Sequence, residues 1–443
     1  MLYKKGDKHK IENYRPLSLT SNMAKVYAKI IKNRLKSQYE LTQPEEQAGF
    51  RSKYSTINNL HIINQLIEKS NEYNMGLHMA FVDFQKAFDN VKHKFLWKAM
   101  KSQGYEIKNI KIIKEMYCNT EAYVYTDVEG SKFKIRKGIK QGDPLSAILF
   151  NIALEEVFKN IEWEEKGKGI EINGKYLSHL RFADDVVILA ETREELEKMI
   201  NELNDKSKIA GLEINLKKTH IIANKDYEHE IKIGKEKIEK KDDVIYLGQN
   251  ISLKNRYGKE VKRRIKIGWA KFWSLKRIFK STLKPEMKSK VFNACIVPAV
   301  AYGSQTWAMK EEDKNKIQTM QNKMEKSMLE IKQITRIKTE MVKKKIPGNK
   351  NIVEECLGRK WDWAGHLARH AGEKWDGRIT DWYLGNKKRN PGRQYLRWAD
   401  DFKNLLSHKM YHRVAMDRKE WYRLRSAFTR KGNKYCGGSM RLS

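Results

Sequence analysis

Two adjacent aspartates interrupt an apolar run of strand type, and this pair constrains the fold more than any other feature of the sequence. The run, LRFADDVVIL, covers residues 180–189, with Asp184 and Asp185 between apolar neighbours on both sides. An isolated carboxylate in a protein interior is unfavourable unless it is protonated, paired or bound to a cation. We therefore expect a compensating partner for this pair elsewhere in the chain.

A second apolar run carries a single acidic residue. HMAFVDF, residues 78–84, contains Asp83, which precedes Asp184 by 101 residues. Two such strands can lie side by side in one sheet and gather three carboxylates. That donor set suits Mg²⁺, which binds few protein carboxylates and keeps positions for substrate phosphates. Each aspartate taken alone is more often a helix cap or an ion-pair partner, so the pair by itself predicts little.

The segment between these runs adds a third motif. KGIKQGDPLSAILFN, residues 137–151, places Gln141 and Gly142 directly before a helix that begins near Pro144. Glycine lets a backbone approach a nucleotide closely, and an amide side chain can contact a base or sugar without adding charge. An ordinary turn at the start of a helix explains Gly142 and Pro144 but not Gln141.

The charge of the chain is strongly uneven. Of 90 Lys and Arg and 55 Asp and Glu, residues 1–250 carry 43 and 37, and residues 251–443 carry 47 and 18. The resulting excess of positive charge in the C-terminal part favours a polyanionic partner such as nucleic acid. A merely basic surface is the less favoured alternative, because the cations alternate with aromatic residues.

Cysteine spacing and hydropathy exclude several classes of protein. The four cysteines are scattered without a C-x-x-C pair, which fits a reducing compartment and does not support a zinc ribbon or a disulfide framework. Cys356, His366 and His370 suggest zinc only weakly, and a structural role is favoured. No secretory signal and no membrane span are expected.

The alternation of helical and strand patterns predicts an α+β domain over residues 1–253. Within it, Asp89 is a candidate N-cap for a helix over 89–104, and a second helix over 192–211 is predicted to begin at the cap Thr192 and to stop at Gly211. Residues 254–345 read as a basic helical domain in which Lys262, Arg263, Arg264 and Lys266 are expected to contact phosphates. Residues 346–443 hold six of the eleven tryptophans with little periodicity.

The motifs occur together in the order found in one enzyme family. FVDFQKAFD, GIKQGDPLSAILFN, RFADD, GLEINLKKT and YLG resemble motifs A to E of reverse transcriptases. ENYRPLSLTSNMAKVYAKIIKNRL and EEQAGFRSKYSTINNL resemble the finger motifs of the non-LTR retrotransposon and group II intron branch. The resemblance covers residues 5–250. It implies a right-hand polymerase with fingers and palm at 1–253, a helical thumb at 254–345 and a basic C-terminal region at 346–443.

The C-terminal segments AYGSQTW, WAGHLARH and PGRQYLRWADDF look like retrotransposon proteins that carry an apurinic-type endonuclease, in the manner of RTE elements. Because the first finger motif lies near residue 5, we expect an N-terminally truncated protein without that endonuclease.

The resemblance also implies site residues. The expected catalytic and metal-binding carboxylates are Asp83, Asp184 and Asp185, with Asp185 the less direct ligand. The expected substrate-binding residues are Arg51, Phe84, Phe88, Gln141, Gly142 and Lys218. The expected primer grip consists of Tyr246, Leu247 and Gly248.

Four of these residues have specific implied roles. Arg51 would bind triphosphate oxygens through its guanidinium, and Phe84 would offer its backbone carbonyl to a metal ion. Phe88 would exclude a ribose 2′-hydroxyl, although an aromatic residue at this spacing is also ordinary core. Lys218 would donate a proton to pyrophosphate; its neighbour Lys217 and a merely solvated lysine are the alternatives.

The implied function is RNA-directed DNA synthesis with two Mg²⁺ ions, or Mn²⁺, on an RNA template, a DNA primer and dNTPs. The expected location is intracellular, in a nuclear and cytoplasmic ribonucleoprotein. The main alternative is a truncated or domesticated nucleic-acid-binding protein without polymerase activity. An intron-maturase-like role is a more distant third, because no maturase segment follows the thumb.

Overall fold

A computed structural model describes residues 2–431 apart from residues 4, 5, 16, 119, 125–129, 226–229, 255, 332–336, 371, 386, 393, 394 and 407–410. The chain divides into two compact units. The first comprises Met1–Asn59 and Gly76–Lys241, and the second comprises Leu60–Met75 and Asp242–Ser443. The predicted domain boundaries after residues 253 and 345 stay predictions. None of the described helices is both long and apolar enough to cross a bilayer.

The first unit combines short strands with long helices. Its strands are β1 (Leu2–Tyr3), β2 (Tyr14–Arg15), β3 (His78–Val82), β4 (Glu121–Ala122), β5 (Phe133–Lys134), β6 (Ile170–Ile172), β7 (Lys175–Leu177), β8 (His179–Phe182), β9 (Asp185–Ala190), β10 (His220–Ala223), β11 (Lys232–Ile233), β12 (Glu236–Lys237) and β13 (Glu239–Lys240). The helices that begin in it are α1 (Asn22–Thr42), α2 (Thr56–Tyr73), α3 (Ala87–Asn90), α4 (His93–Ser102), α5 (Ile107–Tyr117), α6 (Ser146–Lys159) and α7 (Arg193–Ala210), of which α2 continues into the second unit.

A five-stranded sheet forms the centre of this unit, in the order β13-β10-β3-β9-β8. β3 is antiparallel to both β9 and β10, and β8 and β9 form a hairpin. Alternate residues of β3 and β9, such as Ala80 and Ile188, are buried in the same apolar core as residues of α4, α6 and α7. One face of the sheet is therefore packed in this core, and the residues of β3 on the other face are buried as well.

Two helix ends of this unit show which capping predictions the structure supports. Thr192 accepts a hydrogen bond from the amide of Glu195 (3.3 Å) at the start of α7. Gly211 ends α7 with a φ of 89°. The prediction that Asp89 caps a helix over 89–104 is wrong: Asp89 lies within α3, and α4 begins after Lys92.

The second unit is mainly helical. Its strands are β14 (Asp243–Tyr246) and β15 (Gln249–Ser252). Besides most of α2, its helices are α8 (Arg256–Ser274), α9 (Lys276–Phe279), α10 (Pro285–Val300), α11 (Glu311–Met328), α12 (Thr339–Lys345), α13 (Ile352–Arg369), α14 (Trp375–Asp381), α15 (Asp400–Leu406), α16 (Tyr411–Met416) and α17 (Arg418–Lys431). Trp361, Trp398 and Trp421 from the C-terminal region lie in the same core as Phe272 and Trp307. The tryptophan-rich region is thus part of this core.

A buried histidine links α2 to that core. His61 is fully buried, and its Nε2 lies 2.8 Å from Oγ1 of Thr380. The Thr380 hydroxyl donates to the carbonyl of Asp376 (2.6 Å), so the Nε2–H of His61 is the donor in the first bond. Burial, followed by the positive charges of Lys360 and Lys69, lowers the pKa of His61 to about 3.

This low pKa predicts acid sensitivity. Between pH 6.5 and 3 the unfolded chain binds a proton at His61 that the folded chain does not. The free energy of unfolding should therefore fall as the pH decreases, by up to about 1.4 kcal/mol per pH unit from this residue. Urea titrations at pH 7, 6 and 5 measure this pH dependence of the free energy of unfolding. His61→Gln should flatten the dependence and the exposed His9→Gln should not; equal slopes in all three proteins would contradict the assignment.

Candidate active site

The aspartate pair lies at a tight hairpin turn. Phe182 of β8 pairs with Asp185 of β9, so Ala183 and Asp184 alone form the turn. Ala183 adopts a φ of 57°, a conformation that few non-glycine residues take. Asp184 is half-buried and Asp185 is exposed, whereas Val186 is buried. The apolar run is therefore interrupted where the chain leaves the core.

The strand register brings Asp83 to this turn. Val82, the last residue of β3, pairs with Val186 of β9. Because the strands are antiparallel, the next position along β3, Asp83, faces Asp185. The sheet thus places the three carboxylate residues Asp83, Asp184 and Asp185 together at one end of two neighbouring strands, although they are distant in sequence.

Asp83 forms a hydrogen bond and an ion pair with the segment that follows α7. Its carbonyl accepts a hydrogen bond from the amide of Asn215 (2.7 Å), and the ammonium of Lys218 lies 3.5 Å from its Oδ2. Lys218 rather than Lys217 therefore reaches the carboxylate of Asp83. The Oδ2 atom of Asp83 is itself buried and receives no hydrogen bond.

Phe84 offers a backbone oxygen beside Asp83. It forms an antiparallel bridge with Ile214, in which the carbonyl of Asp83 and the amide of Gln85 make the hydrogen bonds. In this pattern the carbonyl of Phe84 points away from Ile214. The Phe84 ring is buried, so only its backbone is suited to a ligand role.

The donor set fits a hard divalent cation. Carboxylate oxygens are the protein ligands that such ions prefer, and the buried Oδ2 of Asp83 accepts no hydrogen bond, although the ammonium of Lys218 lies 3.5 Å away. Among the described residues, no three His, Cys, Asp or Glu side chains lie close enough together to hold a metal ion by themselves. An ion held by few carboxylates keeps positions for oxygen ligands from a substrate.

The glutamine motif meets the end of α3. Nε2 of Gln141 donates to Oδ1 of Asp89 (2.9 Å), and the carbonyl of Gln141 accepts from the amide of Ser18 (2.8 Å). Burial raises the pKa of Asp89, and the hydrogen bond from Gln141 opposes that shift. Gly142 is exposed with a φ of 102°. Gln141 and Asp89 line a cavity of about 550 Å³.

Phe88 stands between the core and this motif. Its ring stacks on Phe150 with centroids 4.4 Å apart, and its carbonyl accepts from the amide of Ile139 (2.6 Å). The side chain is half-buried and packs against the apolar core. This placement agrees with a role in core packing. Because Phe88 is only half-buried, it is also compatible with the expected exclusion of a ribose 2′-hydroxyl.

Arg51 is engaged by its own segment. Nη1 donates to the carbonyls of Pro44 (2.5 Å) and Gln47 (3.2 Å), and Nε lies 3.6 Å from Glu40. Its side chain is only 9% exposed. Phosphate binding by Arg51 would therefore require the guanidinium to exchange these partners.

The predicted primer grip is a second tight hairpin, in the second unit. Tyr246 pairs with Gln249, and the turn between them contains Leu247 and Gly248 with φ values of 43° and 75°. The hydroxyl of Tyr302 donates to the carbonyl of Leu247 (2.7 Å). This anchor fixes a backbone conformation that leucine rarely adopts.

Two arginines also hold this turn, which corrects the expected role of Arg264. Arg263 and Arg264 both donate to the carbonyl of Gly248 and both pair with the fully buried Glu260. Arg264 is 6% exposed, so the prediction that it contacts phosphate is wrong. The sequence carried a signal for these ion pairs: Arg263 and Arg264 follow Glu260 by three and four residues on one helix.

Cys356 is buried in the core of the second unit. Burial raises the pKa of its thiol to about 12, and the thiolate is the form that binds metal. This agrees with a structural role for Cys356.

Comparison with known proteins identifies the family. Residues 3–251 match the family described as reverse transcriptase (RNA-dependent DNA polymerase). The chain is 28% identical over 271 residues to a transposon-derived protein of Caenorhabditis elegans, which covers 57% of this chain and 96% of that protein. It is 24% identical over 300 residues to the Pol polyprotein of the Drosophila melanogaster retrotransposable element R2DM.

The R2DM match covers 65% of this chain and 27% of the polyprotein, so the chain spans about a quarter of that relative. Among solved structures, telomerase from Candida albicans in complex with a fragment of telomeric RNA covers 71% of this chain and 55% of that protein. That alignment has 11% identity and a TM-score of 0.43. The family match confirms the expected α+β right-hand polymerase fold class. The chain belongs to the reverse transcriptase family, with proteins of non-LTR retrotransposable elements among its relatives.

Proposed function

We propose that this chain is the RNA-directed DNA polymerase of a non-LTR retrotransposon. It transfers a deoxynucleoside monophosphate from a dNTP to the 3′ hydroxyl of a DNA primer on an RNA template, and pyrophosphate leaves. The observation that carries the proposal is the β3–β9 register, which places Asp83 beside the Asp184–Asp185 turn in a chain of the reverse transcriptase family.

Reverse transcriptases use divalent metal ions, and we propose two Mg²⁺ ions here, with Mn²⁺ as a substitute. Asp83 and Asp184 would hold them, with the carbonyl of Phe84, and Asp185 would contribute mainly its charge. Ions held there would supply charge stabilisation to the attacking and leaving oxygens of an in-line displacement. Lys218 donates a proton to the leaving pyrophosphate, and the 3.5 Å distance of its ammonium from Asp83 supports this role.

The remaining residues position the substrates. Gln141, held by Asp89, and the exposed Gly142 contact the incoming nucleotide. Arg51 binds its triphosphate after leaving the carbonyls of Pro44 and Gln47. The turn of Tyr246, Leu247 and Gly248 supports the primer end through its backbone.

The larger context is also a proposal. Residues 254–345 act as the thumb on the template–primer duplex, and the C-terminal region completes the core of the second unit. The placement near RTE elements belongs to the same proposal. We further propose that the protein works in a nuclear and cytoplasmic ribonucleoprotein.

Primer extension tests the function. The chain, an RNA template with an annealed DNA primer, dNTPs and Mg²⁺ should give extension that stops at the template end. Salt-dependent RNA binding without extension in Mg²⁺ or Mn²⁺ would instead favour the second candidate, a nucleic-acid-binding protein without polymerase activity. The excess of positive charge in residues 251–443 is the observation that supports this candidate.

Phe88 gives a specific prediction for sugar selection. Phe88→Val removes the ring that would face C2′ of the nucleotide, so incorporation of ribonucleotides relative to deoxynucleotides should rise by about 10- to 100-fold, a few kcal/mol of discrimination. Single-nucleotide extension with dNTP or rNTP measures the ratio. Phe150→Leu, which changes the partner ring beneath Phe88, is the control for loosened packing. An unchanged ratio in Phe88→Val would assign this residue to the core alone.

A further inference from the structure

A short finger segment lies along the open edge of the aspartate hairpin. The amide of Arg181 in β8 donates to the carbonyl of Glu46 (2.8 Å), and the amide of Ala48 donates back to the carbonyl of Arg181 (2.9 Å). Gly49 packs directly against the turn. A Cβ atom at this position would lie 2.2 Å from the amide nitrogen of Ala183, so only glycine fits. The segment 46–49 therefore touches the backbone that carries the carboxylates.

One side chain of this segment bonds to the turn. Gln47 is fully buried, and its Oε1 accepts hydrogen bonds from the amides of Gly49 (2.8 Å) and Ala183 (3.1 Å). Ala183 is the residue with the left-handed φ of 57°, directly before Asp184. The amide oxygen of Gln47 thus satisfies a buried N–H that this unusual turn leaves without a strand partner.

A second buried amide holds Gln47 in place. Nε2 of Gln47 lies 3.4 Å from Oδ1 of Asn151. Nδ2 of Asn151 donates to the hydroxyl of Tyr39 (2.6 Å) and to the carbonyl of Gly49 (2.8 Å). Asn151 and Tyr39 are also buried. These bonds fix the orientation of both amides, so that the Gln47 oxygen faces the turn.

We infer that Gln47 is a positioning residue for DNA synthesis: through the Ala183 amide it fixes the turn that presents Asp184 and Asp185 to the metal ions. This inference rests on the proposed polymerase function for its catalytic readout. Gln47 does not touch the reacting atoms and acts only through the backbone of the turn. Supporting groups of this kind typically change metal affinity or activity by about 10- to 100-fold when they are lost.

Two substitutions of Gln47 distinguish the effect of losing its hydrogen bonds from the effect of changing its side-chain volume. Gln47→Met keeps a long unbranched side chain but removes the acceptor oxygen. Gln47→Glu keeps an acceptor oxygen at the same place, whether its carboxyl is charged or neutral. The matched control is Gln103→Met: Gln103 is also buried in the first unit, but its amide donates to the carbonyl of Ile152 (2.9 Å) and to Glu156 in α6.

Two readouts are needed. The first is primer extension, which gives kcat, the KM for the template–primer and the Mg²⁺ concentration at half activation. The second is Mn²⁺ binding to the chain without nucleotide, followed by electron paramagnetic resonance. We expect Gln47→Met to lower kcat and weaken Mn²⁺ binding by about 10- to 100-fold each, with a KM for template–primer close to wild type. Gln47→Glu should restore most of both.

Gln103→Met should reduce thermal stability about as much as Gln47→Met does while leaving kcat and Mn²⁺ binding unchanged. The inference is overturned if Gln47→Met binds Mn²⁺ like the wild type, or if both methionine variants lose activity in proportion to stability. If the wild-type chain shows no extension at all, the proposed function fails, and the Mn²⁺ titrations of the same variants still decide the role of Gln47.

Discussion

Asp184→Asn is expected to reduce primer extension by about 10²- to 10³-fold, the scale on which removing a single charge-stabilising group acts in preorganised sites. Asparagine has the same shape and retains an oxygen, but it lacks the negative charge that holds a divalent ion. Asp184 is half-buried in a two-residue turn whose backbone conformation is set at Ala183. The substitution should therefore leave the hairpin folded, and RNA binding should stay within about twofold of wild type.

Single-turnover extension with saturating dNTP measures this effect directly. Asp205→Asn is the matched control, because Asp205 is an exposed carboxylate on α7 whose pair with Lys208 spans 4.0 Å; its rate should not change. Asp185→Asn should have a smaller effect than Asp184→Asn, since Asp185 is exposed and is proposed to be the less direct ligand. Extension by Asp184→Asn at the wild-type rate would remove Asp184 from the site.

The hairpin and its neighbouring strand could be predicted because their signals are local. Apolar runs of five or six residues define β3 and β9, and the aspartates mark the ends of those runs. The caps of α7 follow from Thr192 and Gly211 in the same way. Sequence pattern shows which face of an element is buried but not which element covers it. The membership of Leu60–Met75 in the second unit was therefore not predictable.

The supporting polar groups escaped prediction for a different reason. Gln47, Asn151 and Glu260 are residue types that usually face solvent, and their burial depends on partners that are distant in sequence. Arg51 shows the opposite case, a residue predicted to bind a ligand that instead binds its own chain. Its guanidinium, which suits phosphate, donates to the carbonyls of Pro44 and Gln47. The short helices α14, α15 and α16 of the C-terminal region are only six or seven residues long, too short for a clear periodicity, whereas the 18-residue α13 and the 14-residue α17 were missed.

Trp361→Ala is expected to lower the free energy of unfolding of the second unit by about 3–5 kcal/mol. Trp361 is fully buried, and its ring stacks on Trp421 with centroids 3.7 Å apart. The two indoles also exchange hydrogen bonds, from Trp361 to the carbonyl of Trp421 (2.8 Å) and from Trp421 to the carbonyl of Trp361 (3.1 Å). Truncation thus creates a cavity and leaves the Trp421 carbonyl without its donor.

The consequence should reach α2, because the C-terminal region binds it. Oε2 of Glu68 accepts from the amide of Trp398 (2.9 Å), and the ammonium of Lys69 donates to the carbonyl of Trp382 (2.5 Å). Loss of the tryptophan core should therefore increase hydrogen exchange in residues 60–75, as well as in α13 and α17. Mass spectrometry of peptic peptides after exchange resolves these segments, and urea titration by circular dichroism gives the stability.

Trp273→Ala is the matched control, since Trp273 is 48% exposed and its removal should change stability by less than about 1 kcal/mol. If Trp361→Ala accelerates exchange only in α13 and α17, the C-terminal region folds independently of α2. A basic tail that only contacts nucleic acid would show neither effect, because its tryptophans would contribute nothing to the core. Faster exchange in residues 60–75 would instead mean that the C-terminal region stabilises a helix that begins within the finger motif.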